Sequence, residues 1–138
     1  MKTRRKSSDP RTNADLRRFV QLANKRYFGG KLQVAKIEFS NRVGKNCHGK
    51  TETWVYEQLW GPKETHRPVE QEMYHIIIHS KLKYARDLCM MTVYHEMVHA
   101  ELMGLGFRGK DVSCKKSAVL FNRRMTELAQ AGAFNGLW

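Results

Sequence analysis

Thr92-Val93-Tyr94-His95-Glu96-Met97-Val98-His99-Ala100 lies inside a run whose apolar residues recur at helical spacing. Leu88, Met91, Tyr94, Val98 and Leu102 form that stripe and predict a helix over about residues 86–103, stopped by Gly104 and Gly106. Histidines at i and i+4 project from the same helix face, so His95 and His99 can reach one metal ion. Glu96, directly after the first histidine, can then hold or deprotonate a metal-bound water. The H-E-x-x-H pattern thereby points to the working core of a zinc-dependent peptide hydrolase. Burying Glu96 without a partner would be costly, whereas a metal and its water would satisfy it.

Working outward, a last helix is expected from about Ser113 to Ala131, carrying Val119, Phe121, Met125 and Leu128. On the amino-terminal side, Met73–His79 contains Ile76-Ile77-Ile78, a β-branched run that reads as a buried strand. Residues 33–40, with Val34, Ile37 and Phe39, and Thr51–Glu57, with Thr53 and Val55, read as two further strands. A turn is expected over Asn41–Gly49, and a polar loop from Trp60-Gly61-Pro62 to about Glu72. The first helix is expected over residues 13–28. Thr12 with Asp15 resembles a capping box there, and Leu16, Phe19, Val20, Ala23 and Tyr27 repeat at helical spacing. Gly29-Gly30 ends that helix, and Arg17, Arg18, Lys25 and Arg26 occupy its remaining surface. Helix, strands, then helices make an α+β layout in one domain over residues 12–138. Residues 1–11, with Lys2, Arg4, Arg5, Lys6 and Arg11, are expected to form a flexible basic arm.

A chain of 138 residues is long enough to bury one core and too short for two. Its 41% hydrophobic content fits an ordered domain. No apolar run reaches the roughly 20 residues that span a bilayer, and the amino terminus lacks the apolar segment of a signal peptide. Cys47, Cys89 and Cys114 are odd in number and widely separated, so a reduced, intracellular protein (cytoplasm or nucleoid/nucleus) is expected. Lys and Arg number 25 against 13 acids, a net charge of +12 that favours a polyanion, and nucleic acid in particular. The charges do not stand opposite one clean apolar stripe, which argues against a membrane surface.

A catalytic zinc normally takes three protein ligands and leaves its fourth place to water. The third ligand is not obvious. Leu102 and Leu105 stand where a metzincin would place glycine and histidine, and no histidine follows His99. Asp111, Cys114 and Glu127 are the downstream candidates, with His48, His66, His75 and His79 upstream.

The chain resembles the SprT-like (Spartan-type) metalloprotease domain. The resemblance rests on Tyr27-Phe28-Gly29-Gly30-Lys31-Leu32, Ile37-Glu38-Phe39-Ser40 and Ile76-Ile77-Ile78-His79-Ser80-Lys81-Leu82. It continues through the Thr92–Ala100 block and through Phe121 with Met125, in an order covering most of residues 12–130. It implies a zincin-like α+β fold, with an amino-terminal helix, a small mainly antiparallel sheet, an active-site helix and a carboxy-terminal helix. It implies Zn2+ on His95 and His99, Glu96 as the catalytic base, and protein substrates on or near DNA, including DNA–protein crosslinks. The family's third histidine, one turn before the aromatic of the last helix, falls on Ser117-Ala118 here. Cys114, one turn nearer the amino terminus, shares a helix face with Ser117, Phe121 and Met125. Its thiolate would complete an acceptable two-histidine, one-cysteine set, with Asp111 the next choice.

The zinc ribbon frequent in the family finds no paired cysteines after residue 114, so DNA contact is expected from the domain itself. Arg108, Lys110, Lys115, Lys116, Arg123 and Arg124 are expected to form a basic rim beside the metal. The bland alternative for Arg123 and Arg124 is a solvated helix face. Two other functions compete with the peptidase. One is a non-catalytic basic nucleic-acid-binding protein with a degenerate zincin site. The other is a viral or mobile-element protein that targets a host factor.

Overall fold

The computed structural model describes residues 11–43, 47–60, 67–107 and 115–135, with backbone alone over 55–60 and 67–71. The basic arm up to residue 10, His66, Arg108, Lys110, Asp111 and Cys114 lie outside the described residues.

Helix α1, Asn13–Tyr27, begins at the capping box read from the sequence. The Asp15 backbone N–H donates to Thr12 Oγ1 at 3.1 Å, and Asp15 Oδ2 accepts from the N–H of Thr12 at 3.1 Å and of Arg11 at 3.0 Å. Leu16, Val20 and Ala23 are buried at spacings of three and four, which turns this face of the helix to the core. Gly29 and Gly30 have φ of +64° and +71°, left-handed conformations that favour glycine and reverse the chain. Asn24 clamps the reversal by donating to the Leu32 carbonyl at 2.8 Å and accepting from the Leu32 N–H at 3.1 Å.

The chain then enters β1 (Val34–Ser40), β2 (Gly49–Trp60) and β3 (Arg67–His79), arranged in the order β1-β3-β2. Strand β3 runs parallel to β1 and antiparallel to β2, so the sheet is mixed where a mainly antiparallel one was expected. Two of the expected boundaries move. β2 continues to Trp60 and β3 starts at Arg67, because backbone pairing runs on from Gly49↔Ile78 to Trp60↔Arg67. Ladder bonds use main-chain groups, so the polar segment before Met73 pairs as readily as an apolar one. Ile76 and Ile78 on the central strand are fully buried toward the helices, and Ile77 is buried on the opposite face.

A 3-10 turn, Ser80–Tyr84, follows β3, and His79 Nδ1 caps it by accepting from the Lys81 N–H at 3.1 Å. Helix α2, Arg86–Gly104, then crosses the sheet, packing on β2 and β3 and against α3, Lys115–Gln130. Elements on several sides bury Cys89, Val93, Met97, Val98 and Ala100 together, so α2 has no single apolar stripe; Leu88 is 40% exposed. Tyr94 locks α2 to its neighbours, with Phe19, Tyr27 and Phe134 edge-on at 5.3, 6.0 and 5.4 Å between ring centres. Its buried phenol has a pKa pushed up to about 12. On α3, Ser117 and Leu128 turn inward while Val119, expected on the apolar side, faces solvent. Among the described residues, no helix is long and apolar enough to cross a membrane.

Candidate metal centre

The i, i+4 spacing on α2 does what helix geometry requires of it. His95 and His99 stand one above the other with their Nε2 atoms 3.0 Å apart. Two nitrogens held at about 2.0–2.1 Å by a tetrahedral zinc lie about 3.3 Å apart, so this pair is close to a ready chelate. Burial lowers the pKa of His95, and burial followed by the neighbouring His95 brings that of His99 down to about 4. Both imidazoles are therefore neutral near pH 7, the form that donates a lone pair to a metal. Facing each other at 3.0 Å, they have room for one proton or one cation.

Phe121 on α3 covers the pair, its ring centre 4.6 Å from each imidazole and tilted 30° to that of His99. This contact limits ring rotation and places α3 beside the site.

Glu96 lies about 100° further round the helix and turns toward β2. It is only 6% exposed. The Thr51 hydroxyl sits 2.8 Å from its Oε1 and 3.1 Å from its carbonyl oxygen. Burial raises the Glu96 pKa to about 7, against the opposing pull of the Thr51 hydrogen bond. That value suits a group that must both take and return a proton at neutral pH. Gly49, two residues earlier on β2, comes so close to α2 that a Cβ there would meet Thr92 Cγ2 at 2.9 Å and Glu96 Cγ at 3.0 Å.

His95, Glu96 and His99 bring one ligand atom each within 4.8 Å of one another, and among the described residues they are the one group of this kind. Two imidazole nitrogens with a carboxylate beside them are donors of a kind that bind a divalent metal, and no further protein ligand joins the two histidines and Glu96 among the described residues. His75 is buried on the far face of the sheet, its ring nitrogens 3.3 Å from Glu38 and 3.7 Å from Glu52. His79 caps its turn, and His48 is exposed, its carbonyl accepting from the His79 N–H at 2.8 Å. Glu127 is exposed and faces Arg124 at 3.4 Å. Cys89 is a core thiol whose pKa burial pushes up to about 12, and Cys47 is exposed.

Of the expected basic rim, Lys115, Lys116 and Arg123 are exposed on α3. Arg124 is committed elsewhere. Its Nε donates to Glu101 Oε1 at 2.8 Å, Nη2 donates to the Tyr27 carbonyl, and the guanidinium lies 4.7 Å over the Phe28 ring. It ties α3 to α2 and to the end of α1. Thr51 and Gly49 belong to no motif of the sequence that points to the site. A detectable signal was the run Gly49, Thr51, Thr53 on the strand face that meets α2, where apolar residues would ordinarily stand. Comparison with protein-family models, curated proteins and solved structures gave no match.

Proposed function

We propose that the protein is a zinc-dependent endopeptidase of SprT-like type acting on proteins bound to DNA. The observation that carries the reading is the convergence of two neutral imidazole nitrogens, 3.0 Å apart, with a buried carboxylate on one helix. Zinc bound there would supply Lewis acidity, bringing the pKa of the attacking water to about 7 and polarising the scissile carbonyl. His95 and His99 would hold the metal. Glu96 accepts the proton released as the water oxygen bonds to the carbonyl carbon, and returns it to the leaving amine nitrogen as the C–N bond breaks. Cys114 is the proposed third ligand and Asp111 the next. The net charge of +12, with Lys115, Lys116 and Arg123 exposed on α3, the helix whose Phe121 meets the histidine pair, supports a DNA-bound substrate.

Protein purified without added metal is expected to carry about one zinc per chain, the count one such site holds. Glu96→Gln should keep the zinc and lose cleavage of a DNA-bound protein, whereas Cys114→Ala should release the metal. Unchanged zinc in Cys114→Ala would move the third ligand to another residue. The competing reading, a non-catalytic nucleic-acid-binding protein on a degenerate zincin scaffold, draws on the same charge. Metal-free protein that binds DNA with a steep salt dependence and cleaves nothing would establish it in place of the peptidase.

A further inference from the structure

We infer that Thr51 is a positioning residue for Glu96: its hydroxyl anchors Oε1 and leaves Oε2 as the oxygen that exchanges the proton, while Gly49 keeps open the space Oε2 occupies. The inference deepens the peptidase reading and rests on it. Thr51 stands on β2, 45 residues before Glu96, and reaches it across the interface between sheet and helix. Valine has nearly the same shape and would fill that inward position, so packing alone does not require a hydroxyl. The single hydroxyl proton has its shorter contact to the carboxylate, 2.8 Å against 3.1 Å to the carbonyl. A buried carboxylate without such a donor is free to rotate about its terminal torsion, which is broad and roughly two-fold. Fixing one oxygen by hydrogen bond fixes the direction of the other. The Oε2 atom then lies 3.3 Å from where a Cβ of residue 49 would be, and glycine leaves that volume empty.

Three variants test the assignment, with zinc-loaded protein and a lysine-rich histone bound to duplex DNA as the substrate. Thr51→Val should lower kcat about 10- to 100-fold, the usual effect of losing a supporting partner of a metal site, with KM and zinc content unchanged. Thr51→Ser, which keeps the hydroxyl, should recover most of that loss. Gly49→Ala should keep its zinc and lose kcat by displacing the carboxylate. With an active wild type, equal kcat for wild type and Thr51→Val, per folded zinc-loaded chain, overturns the inference.

A second arm needs no turnover. With Co2+ in place of zinc, Thr51→Val should shift the visible absorption bands, and should not shift them when Glu96→Gln is already present. The same shift in both backgrounds, or none in either, overturns the inference. An inactive wild type that still shows the Glu96-dependent shift sinks the peptidase reading and leaves the anchoring role intact. A protein that takes up no Co2+ overturns both.

Discussion

Glu96 has a consequence that is measurable without any substrate. Burial lifts its pKa from 4.5 to about 7, so the folded chain holds this proton more tightly than the unfolded chain does. The linked stability is full below about pH 4.5, is lost as pH rises toward about 7, and stays lost above that. Glu96→Gln cannot ionise and escapes the loss. Metal-free Glu96→Gln should therefore exceed metal-free wild type in stability at about pH 8, by on the order of 3 kcal/mol, with the gap closing near pH 4. His95 and His99 are present in both proteins and drop out of the difference. Urea unfolding at the two pH values checks this; a gap of equal size at both would contradict the burial effect. His95, Glu96 and His99 were legible as a group because their relation is set within one turn of helix. Thr51 was not: the run Gly49, Thr51, Thr53 marks an unusually polar strand face, but nothing along the chain says which distant group that face meets.

Helices were the most legible elements, and α1 shows why. Its cap, its apolar spacing and its terminal glycines are all interactions between near neighbours in sequence. On α3, the sequence treated Arg123 and Arg124 alike, and the packing separates them. Arg124→Gln should lose about 1.5–3 kcal/mol of stability with its charge-assisted bonds to Glu101 and the Tyr27 carbonyl. Arg123→Gln, on the exposed face, should stay within about 0.5 kcal/mol of wild type. It should also reduce the slope of duplex-DNA affinity against salt by about 1 on logarithmic axes, if its charge meets a phosphate. Urea midpoints and fluorescence anisotropy at several salt concentrations separate the two. A stability loss in Arg123→Gln and none in Arg124→Gln would reverse the assignment. The strand ends were less legible, because the polar half of the β2–β3 ladder is held by main-chain bonds that leave no apolar signature.

At the scale of the whole molecule, the central position of β3 joins the sheet to the helix that carries the site. Ile76 is fully buried between the sheet and the helices, so Ile76→Ala should cost about 2–5 kcal/mol. Leu22→Ala, at a position 69% exposed on α1, should change stability by less than about 0.5 kcal/mol. Chemical denaturation of the pair measures how far the core depends on β3; equal effects would show that the sheet–helix interface is not the main store of stability. By itself the sequence determined the α+β class, the helix limits near the site, the histidine pair and its adjacent glutamate, and the excess positive charge. These follow from interactions of short range along the chain, which repeat with the period of the element they build. The tertiary structure alone decided the parallel pairing of β1 with β3, the engagement of Arg124 and the hydrogen bond from Thr51 to Glu96. Those contacts join residues far apart in sequence, and which of them meet is settled only when whole faces of helix and sheet are buried against each other.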